Sequence, residues 1–229
     1  MNRCIVICGT SRGIGKEILS ELTKDTQLQL IALSRNVSEI SEIYHENKQV
    51  TVIPFDLSLP IENQLIEYFK DIKEVHGLIN NAGYLELGPV ETLSIEAYHR
   101  CMQTNFFGPI ALIKWLHPKL FAGKAHVVNI STMGAYQGSV KFPGLSAYTA
   151  SKAAITNFTE VFAEEQKDTG IRMNCLCLGA VNTAMLSEAF PGFIAPISAE
   201  EMGKYIANFT LHGDRFYNGK ILAVSSSTP

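Results

Sequence analysis

The sequence predicts an α/β fold, a doubly wound, Rossmann-type parallel sheet of about seven strands with helices on both faces. Short apolar runs alternate with longer stretches of helical pattern along the chain, as repeated βα units require. Runs such as CIVIC at 4–8 and HVVNI at 126–130 are apolar almost throughout, which suits strands covered on both faces. The length of 229 residues fits a single domain over residues 1–229.

The predicted elements account for nearly the whole chain, without a linker or an internal repeat. The apolar runs are predicted as strands at 3–8, 28–33, 50–55, 76–80, 125–130, 171–178 and 220–224. The stretches between them have helical apolar spacing and are predicted as helices at 13–24, 37–47, 61–73, 94–121, 148–169 and 199–212. Residues 225–229 are expected to form a short ordered or frayed tail.

Composition and charge limit the kinds of partner. Hydrophobic residues make up 46% and charged residues 18% of the chain, and the formal net charge is −3. These values are typical of a globular protein and favour neither nucleic acid nor a membrane surface as a partner. The chain has no apolar run of roughly 18 residues, and its first strand begins too near Met1 to leave room for a signal peptide. We therefore expect a cytoplasmic protein.

The five cysteines are expected to pack inside the fold as free thiols. Cys175 and Cys177 form a CxC pair, but no second pair of cysteines or histidines with metal-ligand spacing stands near it. We therefore predict no metal site, and reduced thiols agree with a cytoplasmic location.

The first predicted strand–helix turn reads GTSRGIG at residues 9–15. Glycines at such a turn let the chain bend tightly and bring backbone N–H groups close to a pyrophosphate at the helix N-terminus. The spacing is GxxxGxG rather than GxGxxG, and a tight strand–helix turn explains the glycines equally well. The candidate cofactor-binding residues in this turn are Gly9, Ser11, Arg12, Gly13, Ile14 and Gly15.

The end of the second predicted strand indicates which dinucleotide is bound. In NAD-binding folds an acidic residue near this place holds the ribose 2′-hydroxyl, but here the chain reads Ser34–Arg35–Asn36. Arg35 stands beside that position, and Arg12 lies in the glycine turn. Guanidinium groups hold phosphate oxygens through paired hydrogen bonds, so these arginines favour NADP. The alternative is that both are merely exposed.

Polar residues also follow other predicted strands. Asp56 comes after the third strand, at the edge where ligands bind in open α/β sheets, although Asp56 or Ser58 could instead cap the helix after Pro60. An Asn–Gly segment after the fourth strand forms a turn in any protein, but it also lets the backbone pass close to a flat ligand. The candidate cofactor-binding residues at these two strand ends are Asp56, Leu57, Asn81, Ala82 and Gly83.

The fifth predicted strand and the helix after it carry the candidate catalytic side chains. Ser131 and Thr132 follow the strand, and Tyr148 and Lys152 are spaced to lie one turn apart on one helix face. An ammonium near a phenol favours the phenolate, so we expect Lys152 to lower the pKa of Tyr148 from about 10 towards neutrality. Such a tyrosine, next to a hydroxyl, can exchange a proton with a carbonyl oxygen. A YxxxK spacing alone also occurs on ordinary amphipathic helices.

In this order, the segments resemble the short-chain dehydrogenase/reductase family in its compact single-domain form, over almost the whole chain. GTSRGIG at 9–15 is similar to the cofactor turn of the family, and NNAG at 80–83 is similar to its central-strand motif. NIST at 129–132 resembles the segment that bears the catalytic hydroxyl, and Tyr148 and Lys152 match the YxxxK pair.

The resemblance implies further site residues. It adds Asn105 to the catalytic set and implies that this residue holds a water in a proton relay. It implies that Lys152 also binds the nicotinamide ribose. The segment that would meet the nicotinamide carboxamide adds Gly179, Val181 and Thr183 as candidate cofactor-binding residues.

The position of the catalytic hydroxyl departs from the family pattern. In the family this residue usually lies closer to the tyrosine than Ser131 or Thr132 lies to Tyr148, so the loop between them carries an insertion. Counting forward from Ile130 assigns the role to Thr132. Counting back from Gly134 assigns it to Ser131, which the family's usual serine also favours.

Two other departures concern the substrate side. Leu178–Gly179 stands where the family usually has Pro-Gly; in addition, segment 184–197 is short, and no glycine pair follows the last strand. We therefore expect a small lid and an open pocket. The residues expected to line it are Tyr84, Leu85, Tyr136, Phe142, Phe190 and Phe193. They predict a small hydrophobic ketone, aldehyde or diketone as partner, or alternatively they serve loop packing or an oligomer contact.

The activity implied by the resemblance is NADP(H)-dependent interconversion of a carbonyl and an alcohol by hydride transfer, with Tyr148 as general acid and base. The alternative is a catalytically silent, NADP-binding regulator that senses redox state, but the presence of Asn105, Tyr148 and Lys152 argues against it. The helices predicted at 94–121 and 148–169 have broad apolar faces, which in this family commonly pair across a dimer. We therefore predict a homodimer or homotetramer.

Overall fold

Seven parallel strands form the central sheet of the computed structural model, which describes residues 3–226. Along the sheet they are β3 (Val50–Pro54), β2 (Leu28–Ser34), β1 (Arg3–Cys8), β4 (Gly77–Asn80), β5 (His126–Thr132), β6 (Arg172–Leu178) and β9 (Ile221–Val224). All neighbouring pairs are parallel. The winding direction reverses between β1 and β4, where such sheets open a crevice for ligands.

Helices cover both faces of the sheet, so the predicted fold class is confirmed. One face carries α1 (Gly13–Leu22), α2 (Ser38–Tyr44) and α8 (Ala199–His212). The opposite face carries α3 (Ile61–Phe69), α5 (Gly108–Gly123) and α6 (Ser146–Glu165). Alternate residues of each strand enter the two cores; in β1, Val6 packs with the second group of helices and Ile7 with the first. Most helices end a few residues earlier than predicted.

The helix predicted at 94–121 is two helices joined by a π-helical turn. α4 (Ile95–Met102) leads into the turn Gln103–Phe107, and α5 follows. The Gly108 N–H donates to the Gln103 carbonyl, five residues back. Pro109 has no N–H, so the Asn105 carbonyl lacks its α-helical donor and the ladder is interrupted here. The turn therefore places Asn105 differently from a residue in a straight helix.

Segment 181–198 contains structure that the sequence analysis did not predict. A short helix, α7 (Ala184–Ala189), lies between two short strands, β7 (Val181–Asn182) and β8 (Ile197–Ser198), which pair in parallel. This pairing closes the base of the loop that carries α7. The short lid expected at 184–197 therefore begins with a helix of six residues and has a closed base.

The ends of the described chain add two findings. Residues 225–226 lie beyond the last strand, and the rest of the predicted tail, residues 227–229, falls outside the described residues. Among residues 3–226, no helix combines the length and apolar character needed to cross a bilayer.

Candidate active site

A cleft of about 660 Å³ lies at the carboxyl edge of the sheet, over the point where the winding direction reverses. It is formed by the segments after β1 to β6 and by α7. Most of the sequence-predicted site residues line it. These are Gly9, Ser11, Arg12, Gly13, Ile14, Arg35, Asp56, Leu57, Asn81, Ala82, Gly83, Ser131, Thr132, Tyr148, Lys152, Gly179, Val181 and Thr183. The two that do not are Gly15 and Asn105, which lie behind its wall.

The glycine turn after β1 packs directly against the turn after β4. Gly9 has φ +93°, and a Cβ on it would lie 2.6 Å from the Ala82 Cα. A Cβ on Gly15 would lie 1.8 Å from the Gly9 carbonyl oxygen, so Gly15 supports the turn from behind. The Asn81 side chain donates to the same oxygen at 2.7 Å. Side chains at these positions would push the two turns apart and fill the floor of the cleft.

The N-terminus of α1 opens into the cleft and suits an anion. Within the described chain, no side chain caps this end of α1, and its first turn has no acidic residue. Its N–H groups therefore keep their partial positive charge. A Cβ on Gly13 would lie 3.6 Å from the Thr183 side chain, so the α1 turn and the start of the α7 segment face each other. Together these features fit a dinucleotide pyrophosphate.

Charged side chains gather at the end of the cleft beside β2 and β3. Arg12 and Arg35 line it there, and Arg12 Nη1 lies 3.9 Å from Glu188 Oε1 on α7. Burial raises the pKa of Asp56, but hydrogen bonds from Ser58 and the charge of Arg35 outweigh burial, so this pKa lies below its usual value. Asp56 holds the Ser58 N–H at 2.8 Å inside the loop. The alternative in which Asp56 or Ser58 caps α3 is therefore wrong.

Tyr148 and Lys152 stand on the first turns of α6 and both line the cleft. Lys152 is 3% exposed, and its Nζ donates to the Ile130 carbonyl at 2.8 Å. Burial lowers the pKa of Lys152 to about 8. Burial also raises the pKa of Tyr148 to about 12, with a smaller effect of Cys101. The expectation that Lys152 lowers the Tyr148 pKa is therefore wrong for the protein alone, because loss of water around the phenol dominates.

The two candidate hydroxyls at the end of β5 have different partners. Ser131 is 3% exposed and donates its hydroxyl proton to the Lys152 carbonyl at 3.1 Å. The Thr132 hydroxyl accepts from the Gly134 N–H at 3.3 Å, and among the described residues no acceptor takes its proton. Of these two hydroxyls, the one of Thr132 therefore keeps its proton to donate to a ligand in the cleft.

Asn105 joins the segment after β4 to the helix that carries Tyr148. Its Oδ1 accepts from the Tyr84 N–H at 2.9 Å, and its Nδ2 donates to the Tyr84 carbonyl at 2.8 Å. The same Nδ2 donates to Ser151 at 2.8 Å, and Ser151 donates to the Tyr148 carbonyl at 2.7 Å. Both amide N–H bonds of Asn105 are therefore used. A Cβ on Gly83 would lie 3.7 Å from both Asn105 Oδ1 and Lys152 Nζ.

The end of the cleft beyond Tyr148 is apolar. Of the six residues expected to line it, Leu85, Phe142 and Phe190 do, whereas Tyr84, Tyr136 and Phe193 do not. The Tyr84 hydroxyl donates instead to the Glu86 carboxylate at 2.8 Å. Glu86 also forms an ion pair with Arg100 at 2.8 Å.

The sequence analysis missed the cleft residues on α7, chiefly Met185 and Leu186. The available signal was Thr183, whose hydroxyl accepts from the Leu186 N–H at 3.3 Å as a helix N-cap. The five cysteines are buried free thiols, as expected.

Comparison with known proteins identifies the family. A family model described as short chain dehydrogenase matches residues 3–192. The chain therefore belongs to the short-chain dehydrogenase/reductase family of oxidoreductases.

Individual relatives and solved structures resemble this chain at low sequence identity. Dehydrogenase/reductase SDR family member 7B of Mus musculus is 30% identical over 193 residues, covering 80% of this chain. The match spans only 58% of the mouse protein's own length. The NADP-dependent 3-hydroxy acid dehydrogenase of Schizosaccharomyces pombe is 30% identical over 200 residues, covering 83% of this chain and 76% of that protein. The crystal structure of an NADPH-bound carbonyl reductase from chicken fatty liver matches with TM-score 0.87 at 19% identity, covering 97% of this chain and 96% of the other, which shows the shared fold.

Proposed function

We propose that this protein interconverts a carbonyl compound and an alcohol by hydride transfer with NADP(H). The observation that carries the proposal is one cleft with two chemically different ends. The Tyr148 phenol, a Thr132 hydroxyl with a free proton and the Lys152 ammonium line its middle, beside the glycine turn and two arginines. A proton donor next to a dinucleotide-sized site is what carbonyl reduction requires.

The residues present fit a bound dinucleotide. The glycine turn and the N-terminus of α1 would hold the pyrophosphate. Gly83, whose Cβ would project towards Lys152, and the segment from Gly179 to Thr183 would hold the nicotinamide. The reduced nicotinamide supplies a hydride, which carries two electrons, to the carbonyl carbon.

The chain's own residues complete the reduction. Tyr148 donates its phenolic proton to the carbonyl oxygen as negative charge develops there, and the alcohol forms with one hydride and one proton added. Thr132 donates a second hydrogen bond to the same oxygen and stabilises that charge. With a pKa raised by burial, Tyr148 is protonated at neutral pH, as a proton donor must be.

Lys152 and Asn105 support this chemistry. The Lys152 ammonium, which donates to the Ile130 carbonyl, would also hold the nicotinamide ribose and would supply positive charge near the phenol. Asn105 holds a water through its backbone carbonyl oxygen, because Pro109 leaves this oxygen without an α-helical donor. The side-chain amide protons of Asn105 are already used in other hydrogen bonds. This water returns a proton from solvent towards Tyr148.

NADP is the cofactor in this proposal because Arg12 and Arg35 line the end where the adenosine 2′-phosphate would lie. The names of the fission-yeast relative and the chicken structure, which mention NADP and NADPH, agree with it. The substrate is a small hydrophobic ketone, aldehyde or diketone, since the remaining lining is apolar.

A homodimer or homotetramer belongs to the same proposal. A groove between α5 and α6 is lined by five apolar side chains, among them Ile110, Pro118 and Phe158, and by Lys114, His117 and Glu165. Phe121 on α5 and Val161 on α6 are also about half exposed, at 53% and 49%. A second copy of the chain packed on these two helices would cover this surface.

The cofactor assignment is tested by steady-state kinetics with NADPH and NADH on one aldehyde. We expect kcat/KM to favour NADPH. In Arg35→Ala, loss of a charge-assisted phosphate contact of about 1.5–3 kcal/mol should lower kcat/KM for NADPH by roughly 10- to 100-fold, mainly through KM. The NADH parameters of the same variant are the control and should change little. A wild-type preference for NADH would contradict the NADP assignment.

A further inference from the structure

The two ends of the cleft differ completely in charge. Four of its five ionisable side chains of Asp, Glu, Lys and Arg, namely Arg12, Arg35, Glu39 and Asp56, lie after β1, β2 and β3 or on α2. The fifth, Lys152, is 3% exposed and bonded to a carbonyl. The opposite end is bounded by the apolar side chains of Leu85, Phe142, Leu145, Met185 and Phe190. None of the described residues that line this end has a charged side chain.

Two aromatic rings meet across this apolar end. The Phe142 and Phe190 ring centroids are 5.5 Å apart and the ring planes make an angle of 75°, an edge-to-face contact. Both rings line the cleft. Phe142 belongs to the loop between β5 and α6, which carries the insertion, and Phe190 follows the last turn of α7. These two residues, called the aromatic pair below, therefore join the two segments that enclose the substrate side.

Both segments are held in place by their own hydrogen bonds. In the loop, Ser139 donates to the Met133 carbonyl and Lys141 donates to the Tyr136 carbonyl at 2.6 Å. The Gly88 N–H also donates to the Gly144 carbonyl at 3.0 Å, which ties this loop to the segment after β4. On the other side, the base of the α7 loop is closed by the β7–β8 pairing. The segment that carries each ring is therefore stabilised by hydrogen bonds of its own.

We propose that the aromatic pair determines substrate specificity and selects uncharged carbonyl compounds that carry a flat aryl group. The proposal rests on the proposed function and names its substrate class. An aryl ring of the substrate that lies against Phe142 and Phe190 makes edge-to-face or stacked contacts with them, as the two rings do with each other. A saturated ring of the same size gains only apolar contact, and a carboxylate would be buried without a partner.

The test compares three aldehydes with NADPH: benzaldehyde, cyclohexanecarbaldehyde and para-carboxybenzaldehyde. For the wild type we expect kcat/KM to be about tenfold higher for benzaldehyde than for cyclohexanecarbaldehyde. We expect it to be about a hundredfold or more higher for benzaldehyde than for para-carboxybenzaldehyde. Phe142→Leu and Phe190→Leu should each bring the benzaldehyde to cyclohexanecarbaldehyde ratio to within about threefold, with the change mainly in KM. Phe216→Leu is the control, because this phenylalanine is 74% exposed outside the cleft, and its ratio should match the wild type.

The outcomes separate the inference from the proposed function. If the wild type oxidises NADPH with none of the three aldehydes, the inference is overturned, whereas the proposed function, which also allows ketones and diketones, is not. If it reduces benzaldehyde and cyclohexanecarbaldehyde equally well, or if either leucine variant keeps the wild-type ratio, the proposed role of the aromatic pair is wrong while the oxidoreductase assignment stands. Efficient reduction of para-carboxybenzaldehyde would overturn the selection against charge.

Discussion

At the scale of single residues, burial shifts the pKa values of Tyr148 and Lys152 in opposite directions. The pKa of Lys152 falls to about 8 and that of Tyr148 rises to about 12, and loss of water is the largest cause of both shifts. The Ile130 carbonyl, 2.8 Å from the Lys152 Nζ, is the nearest partner that the fold itself offers this ammonium. The protein alone therefore holds an ammonium whose hydrogen-bonding capacity is only partly used, which suits a ribose with two hydroxyls.

The low pKa of Lys152 predicts a pH dependence of stability. The unfolded lysine keeps its usual pKa near 10.5, so between pH 8 and 10.5 the unfolded state binds more protons than the folded state. The free energy of unfolding should therefore rise with pH in this window, by roughly 3 kcal/mol, relative to Lys152→Met. Urea denaturation of cofactor-free wild type and variant from pH 7 to 10.5 measures this difference. A difference that stays constant over the range would show that the Lys152 pKa is not lowered.

At the scale of elements, the end of β5 separates two neighbouring hydroxyls. Successive side chains of a strand point to opposite faces. Asn129 and Ser131 bond to α6, through Thr159 at 2.9 Å and the Lys152 carbonyl at 3.1 Å. The hydroxyl of the next residue, Thr132, instead accepts from the Gly134 N–H at 3.3 Å. These different partners support the proposal that Ser131 holds α6 and that Thr132 is the donor towards substrate.

This assignment predicts opposite results for two substitutions. Thr132→Val should lower kcat by about 10²- to 10³-fold, because a donor to the developing negative charge is lost. Ser131→Ala should lower stability by roughly 1 kcal/mol and change kcat little, since its hydroxyl bonds to the backbone. Thr132→Ser restores the hydroxyl and is the control for Thr132→Val. Steady-state kinetics and thermal denaturation of the three variants test which hydroxyl is the donor. A large loss of kcat in Ser131→Ala alone would show that Ser131, and not Thr132, is the donor towards substrate.

Elements with strong apolar periodicity were predictable from sequence, and local interruptions were not. The continuous apolar strands specify a parallel sheet because only burial on both faces accommodates them. The π-helical turn at Gln103–Phe107 was not predicted, because the apolar pattern runs through it. Pro109 nevertheless shows where the helical hydrogen-bond ladder must be interrupted. α7 escaped because a six-residue helix is too short to show a period.

At the scale of the whole molecule, the doubly wound sheet brings residues far apart in the chain to one edge. Gly9 and Asn81 are 72 positions apart and are joined by a hydrogen bond of 2.7 Å. Patterns at the strand ends indicated most of the candidate residues and the resemblance to the family added the others, and strand order explains why most of them line one cleft. What sequence could not supply is the set of tertiary partners. The clamp of Asn105 on Tyr84 and the burial that controls the Tyr148 pKa depend on packing between distant segments.

The central claim is that Tyr148 is the proton donor, and Tyr148→Phe tests it most directly. Kinetics of NADPH-dependent aldehyde reduction should show kcat lowered by about 10²- to 10⁴-fold, the range for loss of a general acid. NADPH binding, measured by fluorescence titration, should stay within a few fold of wild type, because the phenyl ring still lines the cleft. A variant that binds NADPH and reduces the aldehyde at nearly the wild-type rate would contradict the account.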